Sequence, residues 1–132
     1  MTELELQAQV ADYLRLQYPN VLFHSDFGSG IKLTMGQAAK QKRLQGGRRA
    51  WPDMFIAKQR TLAHDGNKYY YSGLFLELKR NGTRLKKKTG DWASDHIKEQ
   101  AETLEALRVE GFAAAFAVGF DEAKKIIDEY LA

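Results

Sequence analysis

The chain has 132 residues, of which 44% are hydrophobic, and its 20 lysine and arginine residues outnumber its 17 aspartate and glutamate residues, for a net charge of +3. This length fits a single domain, spanning residues 1–132, with one hydrophobic core. The chain has no cysteine, which excludes disulfide bonds and thiolate metal sites, so any metal must be bound by oxygen or imidazole. No segment reaches the roughly 20 apolar residues that span a bilayer, and the N-terminus has no signal-like pattern. We therefore expect a soluble, cytoplasmic protein with no membrane partner.

The first half of the chain predicts a helix, a short strand and a second helix. Apolar residues recur at helical spacing over residues 2–18, and residues 21–24 are typical of a short strand. Gly28-Ser29-Gly30 predicts a turn. Thr34 is the expected N-cap of a helix that runs to about Gln45. That second helix is polar and basic with little apolar face, so we expect it to be loosely attached until a partner binds.

The second half predicts a hairpin, a helix, a strand and a last helix, over residues 53–57 with 68–80, 94–110, 112–118 and 121–130. A turn signal at residues 64–67 joins the two strands of the hairpin. The apolar run at 112–118 favours a central strand covered on both faces, and Asp121 is the expected cap of the last helix. The order α-β-α-β-β-α-β-α predicts an α/β fold with a mixed central sheet flanked by helices.

One predicted strand carries an acid and a base on the same face. Because side chains alternate along a strand, Glu77 and Lys79 share one side with Phe75, while three leucines share the other side and can pack. Asp53 begins the neighbouring strand. Two carboxylates and a lysine on adjacent strands suit a divalent metal ion that acts on a phosphodiester. The commoner meaning of a strand Glu-x-Lys pair is a solvent-exposed salt bridge, and that alternative stays open.

Basic residues are concentrated in two segments that flank these groups, and no acidic residue occurs between residues 27 and 52. The candidate DNA-binding residues are Lys40, Lys42, Arg43, Arg48, Arg49, Arg80, Arg84, Lys86, Lys87 and Lys88. A phosphate backbone requires such charge near a cleavage centre, although lysine-rich loops are commonly just solvated. Trp51 and Trp92 beside these segments either stack on bases or close the edge of the core. The three histidines share no ligand spacing, so we expect no zinc site.

These residues resemble the signature of a nuclease family. Asp53, preceded by proline, together with Glu77-Leu78-Lys79 is similar to the PD-(D/E)xK signature. An early Glu3, a Gly-rich basic segment before Asp53, and Gln100 on the following helix resemble the VRR-NUC branch of that superfamily. Four residues separate the glycine pair from the Pro-Asp step, where the family has a shorter approach. The resemblance covers nearly the whole chain and implies a restriction-endonuclease-like core.

The resemblance implies an Mg²⁺- or Mn²⁺-dependent deoxyribonuclease. The implied catalytic residues are Glu3, Asp53, Glu77, Lys79 and Gln100. Asp53 and Glu77 offer the hard oxygen ligands that these ions prefer, and the family adds the backbone carbonyl of Leu78. Lys79 would orient or polarise the attacking water, and Gln100 would support the lysine or a water.

The carboxylate of the first helix has two candidates. Glu3 would reach the metal through a water or would bind a second ion, and its spacing places it at the end of the apolar stripe. Glu5 is the alternative. No small-molecule cofactor is expected.

Stand-alone members of this branch resemble structure-specific endonucleases of phage or bacteria, similar to Holliday junction resolvases. The resemblance therefore implies an enzyme of DNA repair or recombination that cuts branched DNA, such as junctions or flaps, and leaves a 5′ phosphate. Two cuts on a two-fold junction require two centres, which predicts a homodimer. A non-catalytic nucleic-acid-binding module on the same fold and a restriction-type, sequence-specific endonuclease stay open as alternatives. The sequence does not decide between DNA and RNA, or between one metal and two.

Overall fold

The structure is a computed structural model that describes residues 1–26, 32–48 and 50–132. The helices and strands of these residues are α1 (Glu3–Gln17), β1 (Phe23–Ser25), α2 (Met35–Leu44), β2 (Met54–Ile56), β3 (Arg60–His64), β4 (Asn67–Tyr71), β5 (Leu74–Lys79), α3 (Asp95–Val109), β6 (Ala113–Val118) and α4 (Phe120–Leu131). The α/β class is therefore confirmed. The turn expected at residues 28–30 lies outside the described residues.

The central sheet has the strand order β1-β2-β5-β6. β2 pairs antiparallel with both β1 and β5, whereas β5 and β6 are parallel, so the sheet is mixed as predicted. The register places Met54 opposite Leu76. Because β2 and β5 run in opposite directions, the start of β2 lies beside the end of β5, and this end of the sheet carries the polar residues described below.

α1 and α4 cover one face of the sheet, and α3 covers the other. The buried residues on the α1 and α4 side are Leu6, Val10, Leu14, Met54, Ile56, Leu74, Leu76, Leu78, Ala117, Ala123, Ile127 and Tyr130. On the opposite face Phe75 packs with Leu104 and Leu107 of α3. This alternation along β5 confirms that its leucines face the main core, and it directs the side chains of Glu77 and Lys79 toward the α3 side.

The predicted strand over residues 68–80 is wrong in its extent, because two strands occupy it. The turn at Asp65 and Gly66, both with positive φ, joins β3 to β4 in a separate two-stranded sheet. Only the part after Gly73 pairs with β2. A Cβ atom at Gly73 would lie 2.6 Å from the ring of Phe55 and 2.9 Å from the carbonyl oxygen of Ile56. Glycine is therefore required where the chain turns from the hairpin into the central sheet.

Two further expectations about the C-terminal region are wrong. The cap of α4 is Gly119, with φ 84°, and Asp121 lies in the first turn instead. β6 lies at the edge of the described sheet rather than at its centre. Its two faces are nevertheless covered, since Ala114 packs against α3 and Ala117 against α4. Small side chains on both faces let the two helices pack against one strand.

α2 begins, as expected, after Thr34, whose hydroxyl accepts a hydrogen bond from the N–H of Gln37 in a capping box. None of its residues is buried, and Met35 and Leu44 at its two ends are 92% and 85% exposed. This basic helix is thus formed by its own capping and has no apolar face in the core. None of the helices in the described parts of the chain has the length and hydropathy needed to cross a membrane.

Candidate active site

Asp53 is held against the end of β5. It lies immediately before β2, and its Oδ2 accepts a 2.6 Å hydrogen bond from the backbone N–H of Leu78. The antiparallel register of β2 and β5 produces this contact, because the start of one strand meets the end of the other. The side chain is 7% exposed. The sheet itself therefore fixes the position of one carboxylate.

Glu77 places a second carboxyl group beside the first. It is 4% exposed, and Gln100 of α3 donates a 2.7 Å hydrogen bond from Nε2 to its Oε1. Within the described chain, the other oxygen, Oε2, is buried and has no hydrogen-bond partner, and the same is true of Oε1 of Gln100. Buried polar atoms are rarely left in this state unless another group satisfies them. Each of these two side chains thus has one oxygen available to a partner that the described chain does not supply.

The environment of Glu77 strongly favours its neutral form. The pKa of Glu77 is raised to about 10, mainly by burial and also by the negative charges of Asp53 and Glu3, while the positive charge of Lys79 acts in the opposite direction. In the metal-free protein Glu77 is therefore protonated at neutral pH. A cation bound beside Oε2 would replace that proton and offset the free-energy cost of burying the ionised carboxylate.

Lys79 lies on the same side of β5 as Glu77 and is 6% exposed. Its backbone carbonyl accepts a 2.8 Å hydrogen bond from the N–H of Gly119, on the β6 side. Since successive carbonyls of a strand point to opposite sides, the carbonyl of Leu78 points toward β2 and Asp53. The end of β5 thus offers two carboxyl groups, one carbonyl oxygen and one ammonium group.

These groups fit a hard divalent cation. In the parts of the chain that the structure describes, no three His, Cys, Asp or Glu side chains form a complete metal site by themselves. Mg²⁺ does not require one, because it keeps several waters and is usually held by one or two carboxylates together with substrate phosphates. Asp53, Glu77 and the carbonyl of Leu78 would supply the protein's share, and the unsatisfied Oε2 of Glu77 is the observation that favours this assignment.

The structure distinguishes the two candidate carboxylates of α1. Glu5 is exposed and is used in the helix cap, since its Oε2 accepts a 2.8 Å hydrogen bond from the N–H of Thr2. Glu3 is partly buried, lines a groove with Arg80, and lies close enough to raise the pKa of Glu77. Glu3 is therefore the carboxylate of this helix that faces the site.

Both basic segments join the sheet at the same end as the site, one before β2 and one after β5. Arg49 lies outside the described residues, and the other nine candidate DNA-binding side chains are exposed. Arg48 donates a 3.0 Å hydrogen bond to Oγ1 of Thr103, and the ammonium of Lys86 lies 4.7 Å from the ring centre of Trp92. The ion pairs found among the described residues use other cations, namely Arg15, Arg108 and Lys124.

The sequence analysis did not identify Gln7 and Asp26, which hold the backbone of Asp53 through two hydrogen bonds. Gln7 of α1 is 5% exposed and donates a 2.8 Å hydrogen bond from Nε2 to the backbone carbonyl of Asp26. The N–H of Asp26 in turn donates to the carbonyl of Asp53 at 2.8 Å. Gln7 lies one helical turn after Glu3, so a polar residue in the apolar stripe of α1 was the signal that could have identified it.

Comparison with known proteins shows what this chain is similar to. No family model and no curated protein matches the chain. A solved structure described as a "VRR_NUC domain protein" is similar to 99% of this chain and 88% of that chain, with a TM-score of 0.66 and 26% sequence identity. The similarity thus includes all the elements that form the site, from α1 to α4.

Proposed function

We propose that this chain, which is similar in structure to a VRR-NUC domain protein, is a metal-dependent endonuclease that hydrolyses phosphodiester bonds in DNA. The observation that carries the proposal is the buried Oε2 of Glu77, which lacks a partner in the described chain beside the carboxylate of Asp53 and the ammonium of Lys79. An acid, a second acid and a base buried together are costly for folding. Their retention is explained if they bind a cation and a phosphate.

The metal site would consist of Asp53, Glu77 and the carbonyl of Leu78, with Glu3 acting through a water. A bound Mg²⁺ or Mn²⁺ would neutralise charge on the phosphate, lower the pKa of a bound water and assist the departing 3′ oxygen. The protein would keep this site dry with α3 on one side and the leucines of β5 on the other.

The remaining side chains would position the reactants. Lys79 would hold the attacking water and stabilise the negative charge that develops on the phosphate oxygens. Gln100 would fix the orientation of Glu77 through its 2.7 Å hydrogen bond, and its free Oε1 would accept a hydrogen bond from the water or from Lys79. The water oxygen would bond to phosphorus as the water gives up a proton, the bond from phosphorus to the 3′ oxygen would break, and that oxygen would take up a proton, which leaves a 5′ phosphate and a 3′ hydroxyl.

We further propose that the substrate is branched DNA, such as a Holliday junction or a flap, and that two copies act together on it. The exposed basic residues on both sides of the site support a nucleic-acid substrate, because they are free to release counterions from phosphates. Paired cuts on a two-fold junction require a homodimer. Light scattering with and without junction DNA tests this point, and a monomer under both conditions would contradict it.

The nuclease proposal is tested with labelled duplex, flap, fork and four-way junction DNAs, and matching RNAs, incubated with Mg²⁺, Mn²⁺ or EDTA. Wild type is compared with Asp53→Asn and Lys79→Ala, with binding measured in parallel by gel shift. We expect the wild type to cut only with metal and both variants to bind without cutting. Equal cutting by all three proteins would reject this site, and binding without cutting by the wild type would favour the non-catalytic module.

A further inference from the structure

An open groove of about 630 Å³ lies directly beside the candidate active site. It is bounded by the C-terminal end of α2 and by the surface of β1, β2 and β5. Asp53 is one of its lining residues, His24 and Asp26 lie on its polar side, and Trp51 with Phe75 forms its aromatic side. The size falls within the range of small-molecule sites. None of these neighbours has a part in the cleavage step proposed above except Asp53.

Trp51 presents a fixed aromatic surface to this groove. Its side chain is 39% exposed, and its indole N–H donates a 3.1 Å hydrogen bond to the carbonyl of Gln45 at the end of α2. The only polar atom of the ring is therefore used within the protein. Behind it, the ring of Phe75 lies 6.2 Å away, and Phe75 is itself 4.5 Å from the ring of Phe55. The indole is held from two sides and keeps an apolar surface open.

The position of the groove determines what can occupy it. Trp51 precedes Asp53 by two residues, so their Cα atoms are at most about 7 Å apart. A phosphate bound at Asp53 and Glu77 would bring the base of an adjoining nucleotide to the groove. Lys42 and Arg43, in the last turn of α2, line a second pocket that shares Gln45 with this groove. A protein segment or a second copy seated here would instead cover Asp53 and block the site.

We infer that this groove binds one unpaired nucleobase of the cut strand, stacked on Trp51. The inference rests on the proposed nuclease function and specifies its substrate further. A base within a duplex is already stacked and paired, and its extrusion costs a few kcal/mol. A nucleotide in a flap, a junction or a single strand reaches the groove without that cost. The enzyme therefore selects DNA in which the nucleotide next to the cleaved bond is unpaired.

The test measures binding without metal, so it does not depend on cleavage. The chain has two tryptophans, and Trp92→Phe leaves Trp51 as the sole indole emitter. Trp92 contacts Lys86 and Phe116, and phenylalanine keeps an aromatic ring there. In EDTA, a short single-stranded oligonucleotide should quench the emission of this protein, whereas a blunt duplex of the same sequence should leave it nearly unchanged. Equal response to both DNAs, or no response, would overturn the inference.

Affinity provides the second measurement. Trp51→Ala should weaken binding of the single strand by about 5- to 100-fold, as expected for the loss of one stacked base. Binding of the duplex should change less than about twofold, since its phosphates still meet the basic residues. Trp51→Phe, which keeps a stacking surface, should restore most of the lost affinity. An equal loss on both DNAs would contradict a base-binding groove.

The two proposals fail in distinguishable ways. If the wild type binds single strands through Trp51 but no DNA is cut with Mg²⁺ or Mn²⁺, the groove stands and the nuclease proposal fails. If DNA is cut and Trp51→Ala leaves the preference for unpaired substrates unchanged, the nuclease stands and the groove is rejected. Circular dichroism of each variant shows whether it is folded, and the quenching experiment retains the native Trp51 in any case.

Discussion

The carboxyl groups of Asp128 and Glu77 differ in how completely the protein satisfies their hydrogen-bonding oxygens. Asp128 of α4 accepts hydrogen bonds from the hydroxyls of Tyr13 at 2.6 Å and Tyr18 at 2.7 Å, and Lys124 lies 3.1 Å from its other oxygen. The hydrogen bond from Tyr13 lowers the pKa of Asp128 most, and Tyr18 and Lys124 lower it further, against the opposing effect of burial. Both oxygens of this carboxylate are thus satisfied by the protein itself.

Glu77 has one hydrogen bond and one buried oxygen without a partner in the described chain, and burial raises its pKa to about 10. The two acidic residues therefore have different roles. Asp128 connects α1 to α4, and its interactions are complete without a ligand, which is expected of a structural contact. Glu77 is stabilised only in part, because the positive charge of Lys79 does not offset burial and the nearby carboxylates of Asp53 and Glu3. Such an incomplete site stores a cost in folding that a bound cation would remove.

The largest effect is expected from Glu77→Gln, whose side chain cannot ionise. The unfolded chain loses the proton of Glu77 near pH 4.5, whereas the folded metal-free protein keeps it up to about pH 10. The contribution of Glu77 to stability is therefore fully present below pH 4.5 and is lost as the pH rises toward about 10. In EDTA at pH 8, Glu77→Gln should be more stable than wild type by several kcal/mol, on the order of 1.4 kcal/mol for each pH unit above 4.5, measured by thermal unfolding.

The same variant should lose at least about 100-fold in cleavage rate, because even the outer-sphere partners of metal ligands cost 10- to 100-fold. At pH 5 the stability difference between the two proteins should nearly vanish, which provides an internal control. A variant that is less stable than wild type at pH 8 in EDTA would show that Glu77 is a structural residue like Asp128.

Metal binding provides the next largest effect. If a cation replaces the proton of Glu77, the affinity for Mn²⁺ should increase by about tenfold for each pH unit between pH 6 and 9, below the pKa of about 10. Calorimetry in buffers with different heats of ionisation should detect the release of one proton per metal ion bound. Glu77→Gln is the matched control and should show no proton release. An affinity independent of pH would contradict the exchange of proton for metal.

The sequence predicts which face of β5 carries Glu77 and which residues lie near it. It does not predict the protonation state of Glu77 or the missing partner of its Oε2. Strand alternation places Glu77 and Lys79 on one side, and adjacent strands bring Asp53 close, since these rules depend only on local geometry. The missing partner of Oε2 depends on how α3 covers the site, which is a tertiary contact. Gln100 was identified from a family resemblance and not from the chain's periodicity.

Elsewhere in the fold, too, local features could be predicted from the sequence and tertiary contacts could not. The helices were predictable because their caps and apolar spacing are local, as for Thr34. The hairpin of β3 and β4 was missed because Gly73 reads as an ordinary strand residue until the ring of Phe55 is placed against it. The cluster at Asp128 joins residues more than 100 positions apart, and no pattern within either helix indicates it.

A smaller effect is expected from Gln100→Leu, which removes the hydrogen bond to Oε1 of Glu77 and keeps a similar volume. The carboxyl group would lose its fixed orientation, so the cleavage rate and the Mn²⁺ affinity should each fall by about 10- to 100-fold. Glu102→Gln, at an exposed position of the same helix, is the control and should leave both unchanged. Wild-type metal affinity in Gln100→Leu would show that the contact does not position Glu77.

The smallest effect on activity is expected from a substitution at Asp128, whose oxygens are both hydrogen-bonded within the protein. Asp128→Asn removes the charge that accepts two tyrosine hydroxyls, so the free energy of unfolding at pH 7 should fall by about 1–2 kcal/mol. Because the pKa of Asp128 is lowered by folding, its contribution is present above the unfolded value of 3.8 and is lost as the pH falls through the folded value. The difference from wild type should therefore shrink in acid, as it does for Glu77→Gln, but its sign is opposite, because Asp128→Asn is the less stable protein of its pair and Glu77→Gln the more stable one. Cleavage by Asp128→Asn should match wild type at a temperature where both are folded, and a large loss of activity would mean that the two carboxyl groups do not divide stability and function between them.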